Sequence, residues 1–229
     1  MVDKYAVKGF VEKAFECCAE KPLIIPTLGL YNTFEEIDFA VLPPQYVLKC
    51  THDSGSVIIC KDKEGFSKER ARRKLNKMLR RKHWRIGREW AYKNVKPRII
   101  AEKYISQLDI AGGDLLDYKI FTFDGKAKFI QVDLDRFTGH KRNLYDTEWN
   151  LLDFKLIYEN GSPVPKPAML EKMLKWAEML AVDMPFLRVD FYCVDNDVYF
   201  GEMTLYPENA SGHFMPDKYD LLLGEMIRL

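Results

Sequence analysis

Residues 188–204 read RVDFYCVDNDVYFGEMT, two apolar runs around the turn residues Asp195, Asn196 and Asp197. Both alternating sets are largely apolar. Val189, Phe191 and Cys193 form one; Tyr192, Val194, Val198 and Phe200 form the other. This is the pattern of central strands covered on both faces, where a charge is costly unless something pairs with it. Arg188, Asp190 and Glu202 are therefore the residues to explain. A three-residue loop at 195–197 sets Val194 opposite Val198, Tyr192 opposite Phe200, Asp190 opposite Glu202 and Arg188 opposite Thr204, all on one face. Opposed side chains in such a pair have Cβ atoms about 4.5–5.5 Å apart, and two carboxylates that close repel unless a cation lies between them. Mg2+ takes one or two carboxylates and leaves its other positions to water and phosphates, so a metal is expected at Asp190 and Glu202. A salt bridge from Arg188 to one acid is the simpler alternative, but it leaves the second carboxylate unexplained. A loop of two or four residues would put the acids on opposite faces.

The rest of the 229-residue chain reads as mixed helices and hairpin strands, an α+β pattern. A helix is predicted over 3–20, with a loop or edge segment broken by Pro22 and Pro26 after it. Strands are expected at 44–50 and 57–62 around the turn THDSGS, and at 98–105. Residues 115–135 read as a hairpin turning at Asp124–Gly125. Ser67 caps a helix predicted to run to about Lys93, with Ala71, Leu75, Met78 and Leu79 on its apolar stripe. Residues 139–154 lack clear periodicity and read as a functional loop. There His140, Lys141 and Arg142 are candidates for holding an acidic substrate, with loop charge as the default. Pro167 opens a helix with a stripe of Leu170, Met173, Leu174, Ala177 and Leu180, and a last helix starts near Asp217.

Net charge is +1, yet residues 68–88 hold eleven Lys or Arg against Glu69 alone. Basic residues recur around the whole predicted helix rather than along one reading stripe, so no nucleic acid is expected as partner. The two readings kept for 68–88 are a solvated face and docking of an acidic polymer. The five cysteines fall in no metal-like spacing and read as reduced structural thiols. No apolar run approaches a membrane span, and the N-terminus lacks a signal peptide's apolar core, so a cytoplasmic location is expected.

Lys49 ends a strand, and the amides of Ser54, Gly55 and Ser56 in the following turn can form an anion nest for phosphate. Several stretches in the same order resemble the ATP-grasp superfamily. Lys49 with THDSGS is similar to the lysine and Gly/Ser hairpin that close over ATP phosphates. AEKYI (101–105) resembles the linker between lobes that holds adenine, and LRVDFYCVDNDVYFGEMT resembles the metal strands of D-alanine–D-alanine ligases. A closer similarity, over nearly the whole chain, is to the TupA-like branch, through LPPQYVLKCTHDSGS, RIIAEKYI, LLDYKIFTFDG, LYDTEW, FLRVDFY and YFGEMTLYP. That branch is associated with teichuronopeptide and other cell-surface polysaccharide synthesis.

The resemblance implies an ATP-grasp fold of two α+β lobes with ATP between them and a reduced or absent N-terminal pre-ATP-grasp domain. The expected divisions are an N-terminal segment 1–42, a small lobe 43–105 and a large lobe 106–229. It also implies site roles. Asp190 and Glu202 would hold Mg2+, with Thr204 where most of the superfamily has asparagine. Arg188 would contact phosphate and the developing oxyanion, and Lys119 would reach phosphate. Glu102 would face the adenine side, the backbone of Lys103, Tyr104 and Ile105 would bond the base, and Asp109 is the candidate for ribose. The implied function is amide-forming ligation of a carboxylate and an amine through an acylphosphate, on a cell-surface polysaccharide or its precursor. The alternatives are a glycosyltransferase, suggested by pathway context, and a non-catalytic nucleotide-binding module.

Overall fold

The computed structural model describes residues 1–105, 115–135 and 139–228. In chain order the elements are α1 (Ala6–Ala14), β1 (Leu23–Ile24), β2 (Thr27–Tyr31), β3 (Tyr46–Cys50), β4 (Ile58–Cys60), α2 (Lys68–Leu79) and α3 (His83–Ile86). There follow β5 (Ile99–Lys103), β6 (Asp117–Phe123), β7 (Lys126–Leu134), β8 (Lys141–Asp146) and β9 (Lys155–Leu156). The chain continues through α4 (Leu170–Leu180), β10 (Phe186–Val194), β11 (Asp197–Thr204), β12 (Phe214–Met215) and α5 (Lys218–Gly224). They fall into two compact units. One is Met1–Phe10 with Ile25–Ile105; the other is Val11–Ile24 with Ser106–Leu229. Residues 1–42 are thus shared between the units.

The first unit is built on an antiparallel sheet in the order β2-β5-β3-β4. Alternate residues of β3 (Tyr46, Leu48, Cys50) are buried, as a strand with one covered face requires. The helix α2 covers that face with Ala71, Leu75 and Met78, and Ser67 caps it by accepting from the Arg70 amide at 3.2 Å. The helix stops at Leu79, well short of Lys93. The run Arg80–Arg81–Lys82 offers no apolar residue to continue the stripe. The chain instead makes the short α3 and a 3-10 turn at Trp90–Tyr92. Helix α1 is likewise shorter than predicted, ending at Ala14.

The second unit carries a six-stranded sheet, β1-β11-β10-β6-β7-β8. Its strand β8 lies inside the segment 139–154 that the sequence left without periodicity. The central residues of β8 are buried, Arg142 and Asn143 among them, so no polar alternation was visible. One face of the sheet carries Met203, Val189, Ile120 and Ile130 in a row across four strands. Helix α4 packs on β6, β7 and β10, with Trp176 6.5 Å from Phe191 and 6.3 Å from Phe15. On the opposite face, Phe121, Phe129 and Leu144 join an aromatic cluster with Phe154, Phe214 and Tyr219.

The β10–β11 hairpin differs from its sequence reading in two places that cancel. Its loop has two residues, Asp195 and Asn196, both with positive φ (49° and 69°), and Val194 pairs with Asp197. Such a turn matches the right-handed twist of the strands. Alone it would put Asp190 and Glu202 on opposite faces. A β-bulge at Gly201 inserts one extra residue, so Phe191 pairs with Phe200 but Asp190 with Glu202 and Arg188 with Thr204. A Cβ at Gly201 would lie 3.0 Å from the Asp190 carbonyl oxygen and 3.1 Å from the Tyr192 ring.

Gly201→Ala is therefore expected to destabilise the protein by about 1–3 kcal/mol through overpacking. Gly9→Ala, in α1 with nothing within 4 Å of the new Cβ, is expected to stabilise by about 0.5–1 kcal/mol. Opposite shifts in melting temperature on the same substitution check both.

Candidate functional site

The bulge restores one polar row across the second unit's sheet: Glu202, Asp190, Lys119 and Gln131 on neighbouring strands. Adjacent strands lie about 4.8 Å apart, so long side chains in the row touch. Asp190 is 1% exposed. Its Oδ1 accepts from Arg188 Nε at 2.7 Å and its Oδ2 from Arg188 Nη2 at 2.8 Å. Oδ2 also accepts from Lys119 Nζ at 2.9 Å, and the same ammonium donates to Asp117. Arg188 Nη2 reaches Glu202 Oε1 at 3.2 Å and Thr204 Oγ1 at 3.0 Å. Two cations thus face three carboxylates, and Glu202, with a side chain 38% exposed, is the one open to solvent.

Burial pushes the Asp190 carboxyl above its ordinary range, against the pull of Arg188 and Lys119; Asp117 and Glu202 add to the push. Burial alone would lower Arg188, but Asp190 and Glu202 hold its guanidinium above its ordinary value. The oxygens of Asp190, Glu202 and Thr204 are hard donors, suited to Mg2+ rather than to a soft metal. Among the described residues no group of three or more His, Cys, Asp or Glu is arranged to hold a metal, so any ion here relies on two carboxylates and on what a ligand brings.

The polar face continues along β7 and β8. Gln131 Nε2 donates to both oxygens of Asp133 at 3.1 and 3.0 Å. Arg142 Nε donates to Asp133 Oδ1 at 2.6 Å, and its Nη1 meets Glu208 Oε1 at 3.0 Å. Glu208, Asn209 and Ala210 are three successive residues with φ between 51° and 57°, a costly run for non-glycine backbone. Arg142 is thus a buried anchor and not a loop charge. Sequence reasoning missed Asp117 and Asp133 as partners in this face. The signal for Asp117 was its place two residues before Lys119 in one strand.

In the first unit, Lys49 and Glu102 meet directly. Glu102 Oε2 is 2.6 Å from Lys49 Nζ, and Oε1 is 2.6 Å from Lys8 Nζ. Lys8 also donates to the Ile25 carbonyl at 2.7 Å and to Thr27 Oγ1 at 2.9 Å. It was missed because a lone lysine on a short helix carries no sequence signal. Burial alone would raise Glu102, but Lys49 and Lys8 outweigh it and hold the carboxyl below its ordinary value. The Lys103 amide donates to the Pro26 carbonyl at 3.0 Å; its side chain is exposed, and Tyr104 and Ile105 are partly exposed. Asp109 lies outside the described residues.

The turn after Lys49 is divided. Ser54 and Gly55 are exposed, with Gly55 at φ 86°. Ser56 is buried: its hydroxyl donates to Asp53 Oδ1 at 2.6 Å and accepts from the Cys50 amide at 2.8 Å. Its side chain holds the turn closed rather than standing outward with Ser54 and Gly55. His52 is buried too, 3.2 Å from the Arg81 carbonyl through Nε2, and fills the base of the turn.

A family model described as TupA-like ATP-grasp matches residues 1–228. No curated protein matches the chain. Among solved structures, the D-alanine–D-alanine ligase from Bacillus anthracis aligns at 18% identity and TM-score 0.49, over 99% of this chain and 65% of that one. The ligase of the same name from Helicobacter pylori aligns at 15% and 0.43, over 91% and 55%. The L-amino acid ligase from Bacillus licheniformis aligns at 13% and 0.47, over 86% and 41%. The chain therefore spans less than two thirds of the length of each, and likenesses this distant carry no role onto any residue.

The Glu102 cluster gives a pH-dependent expectation. A carboxyl held low in the folded state stabilises above the unfolded glutamate pKa of about 4.3, and the gain is lost as pH falls through the lower folded value. Glu102→Gln should cost roughly 3 kcal/mol at neutral pH. The difference in melting temperature from the unmodified protein should narrow sharply in acid below that value.

Proposed function

The chain belongs to the TupA-like ATP-grasp family, and from that premise we propose that it is an ATP- and Mg2+-dependent ligase joining a carboxylate to an amine. The observation that carries this reading is the register of β10 and β11, which sets Asp190 opposite Glu202 with Arg188 and Lys119 on the same face. A purely structural ion pair needs one carboxylate for Arg188. This face supplies a second, partly open one, which suits a site where a charged ligand binds.

In the proposed reaction a substrate carboxylate oxygen attacks the γ-phosphorus of ATP, and the bond from that phosphorus to the β-bridging oxygen breaks. ADP leaves with that electron pair. The amine then attacks the acyl carbon, phosphate departs with the acyl–oxygen bond, and the amine loses a proton to solvent. Arg188 and Lys119 neutralise charge on the transferring phosphoryl group and the developing oxyanion. Asp190 and Glu202, with the Thr204 hydroxyl beside them, would hold Mg2+, which supplies further charge neutralisation on the phosphate oxygens. In the first unit, Lys49 and the amides of Ser54 and Gly55 are suited to phosphate. Glu102 orients Lys49, and the chain at Lys103–Ile105 takes the base. Positioning and charge account for the chemistry, with no covalent protein intermediate. The resemblance to the TupA-like branch supports a cell-surface polysaccharide, or a uronic or amino acid precursor, as substrate, and ATP use supports a cytoplasmic site of action.

Glu202→Gln is expected to abolish ATP turnover by at least about a hundredfold while leaving the melting temperature within a degree or two. In the unmodified protein Mg2+–ATP at a hundred times its dissociation constant should stabilise by about 2.7 kcal/mol, an effect the variant should lose. Stabilisation by a nucleotide sugar alone, with none by ATP, would replace the ligase with a transferase.

A further inference from the structure

The segment after α2 presents a surface that the proposed site does not use. Between Arg80 and Lys96 stand seven Lys or Arg residues, all exposed. The one acid there, Glu89, is buried and turned onto His83 Nε2 at 3.1 Å. The bases of α2 differ: Arg72 pairs with Glu35 and Glu69, and Arg73 with Glu69. The same segment displays large apolar groups. Trp90 is 61% exposed and Ile86 56%. Trp84 meets Trp90 edge-on at 5.4 Å. The Lys93 ammonium lies 4.2 Å from the Trp90 ring, and the Arg85 guanidinium 5.0 Å from that of Trp84. The cations thus sit on the indoles at the surface.

We infer that the face formed by residues 80–96 docks on an anionic lipid membrane. The charge is complementary: a patch of seven bases without an exposed acid is drawn to a negative lipid surface. Indoles settle at the headgroup level, where one edge is apolar and the N–H is wet. Lys93 and Arg85, whose charged heads lie over the indoles, are long enough to cover apolar surface with their stems while offering charge to lipid phosphate. Neither a basic patch nor a few apolar side chains holds a protein on a bilayer alone; the combination does. A soluble polyanion would use the cations and could stack on the indoles, but it has no use for the bare aliphatic Ile86. No helix among the described residues is long and apolar enough to cross a bilayer, so the attachment inferred is peripheral.

The test is cosedimentation of the full chain with vesicles of phosphatidylcholine alone and of equimolar phosphatidylcholine and phosphatidylglycerol, at low and high salt. Binding to the anionic vesicles alone, weakened by salt, is expected. Ile86→Ser with Trp90→Ala, and separately Arg85→Gln with Lys93→Gln, should each raise the dissociation constant about tenfold. As a readout that needs no variant, brominated phosphatidylglycerol should quench indole emission of the unmodified protein. The inference is overturned by absent binding, by equal binding to neutral vesicles, or by binding without quenching. Retention on soluble polyglucuronate without vesicle binding also overturns it, in favour of an acidic polymer. None of these outcomes bears on ATP binding, which the thermal-shift measurement reads separately.

Discussion

Everything on the polar face of the second unit depends on the Asp190 carboxyl finding partners inside a sheet. A carboxylate with 1% exposure is held there only by charge-assisted hydrogen bonds, and Arg188 and Lys119 supply three. Those two cations bring their own requirements: Lys119 calls in Asp117, and Arg188 calls in Glu202 and Thr204. The strand register must then satisfy all of them at once. A one-residue slip sends each partner to the opposite face, where α4 needs Val189, Phe191 and Ile120. The bulge at Gly201 is the device that meets both demands with a two-residue turn.

The first unit repeats the logic at smaller scale. Glu102 is buried beneath two lysines, and its low carboxyl keeps both ammonium groups in place. Buried ion pairs of this kind are weak sources of stability, because desolvation consumes much of the Coulombic gain. What they provide is fixed placement of long, flexible cations. Lys49 and Lys119, which would otherwise sample many rotamers, are each tied to a carboxylate on the same sheet. Preorganised cations are what phosphoryl chemistry asks of a protein.

The sequence made much of this legible for particular reasons. The alternation in RVDFYCVDNDVYFGEMT forced the question of Asp190 and Glu202, and turn residues marked both hairpins. The stripe Ala71, Leu75, Met78 was readable because helical spacing is regular. The predicted α2 overran Leu79 because Arg80, Arg81 and Lys82 offer no apolar residue to continue the stripe. Strand β8 escaped because Arg142 and Asn143 are buried alongside Leu144 and Tyr145, so period-two reasoning found no contrast. Pairing through a three-residue loop set Asp190 opposite Glu202 and Arg188 opposite Thr204 by the wrong count, and it misplaced Val194, which faces Asp197, and Tyr192, which faces Tyr199; no pattern in single-sequence alternation separates a loop residue from a bulge residue.

By itself the sequence determined which residue types would need partners: charges in apolar strands, a lysine before a glycine turn, a basic run with a single acid. It also carried the family pattern, because motif order survives in one dimension. Only the tertiary structure decided who the partners are. Lys8 meets Glu102, Asp117 meets Lys119, and Glu208 meets Arg142. Except for Asp117, these are long-range choices, fixed when strands and helices distant in the chain pack together. Ser56 turned inward for a local reason: a buried Asp53 three residues earlier needed a donor, and the cost of leaving a polar group unpaired inside exceeds the preference of any side chain for solvent.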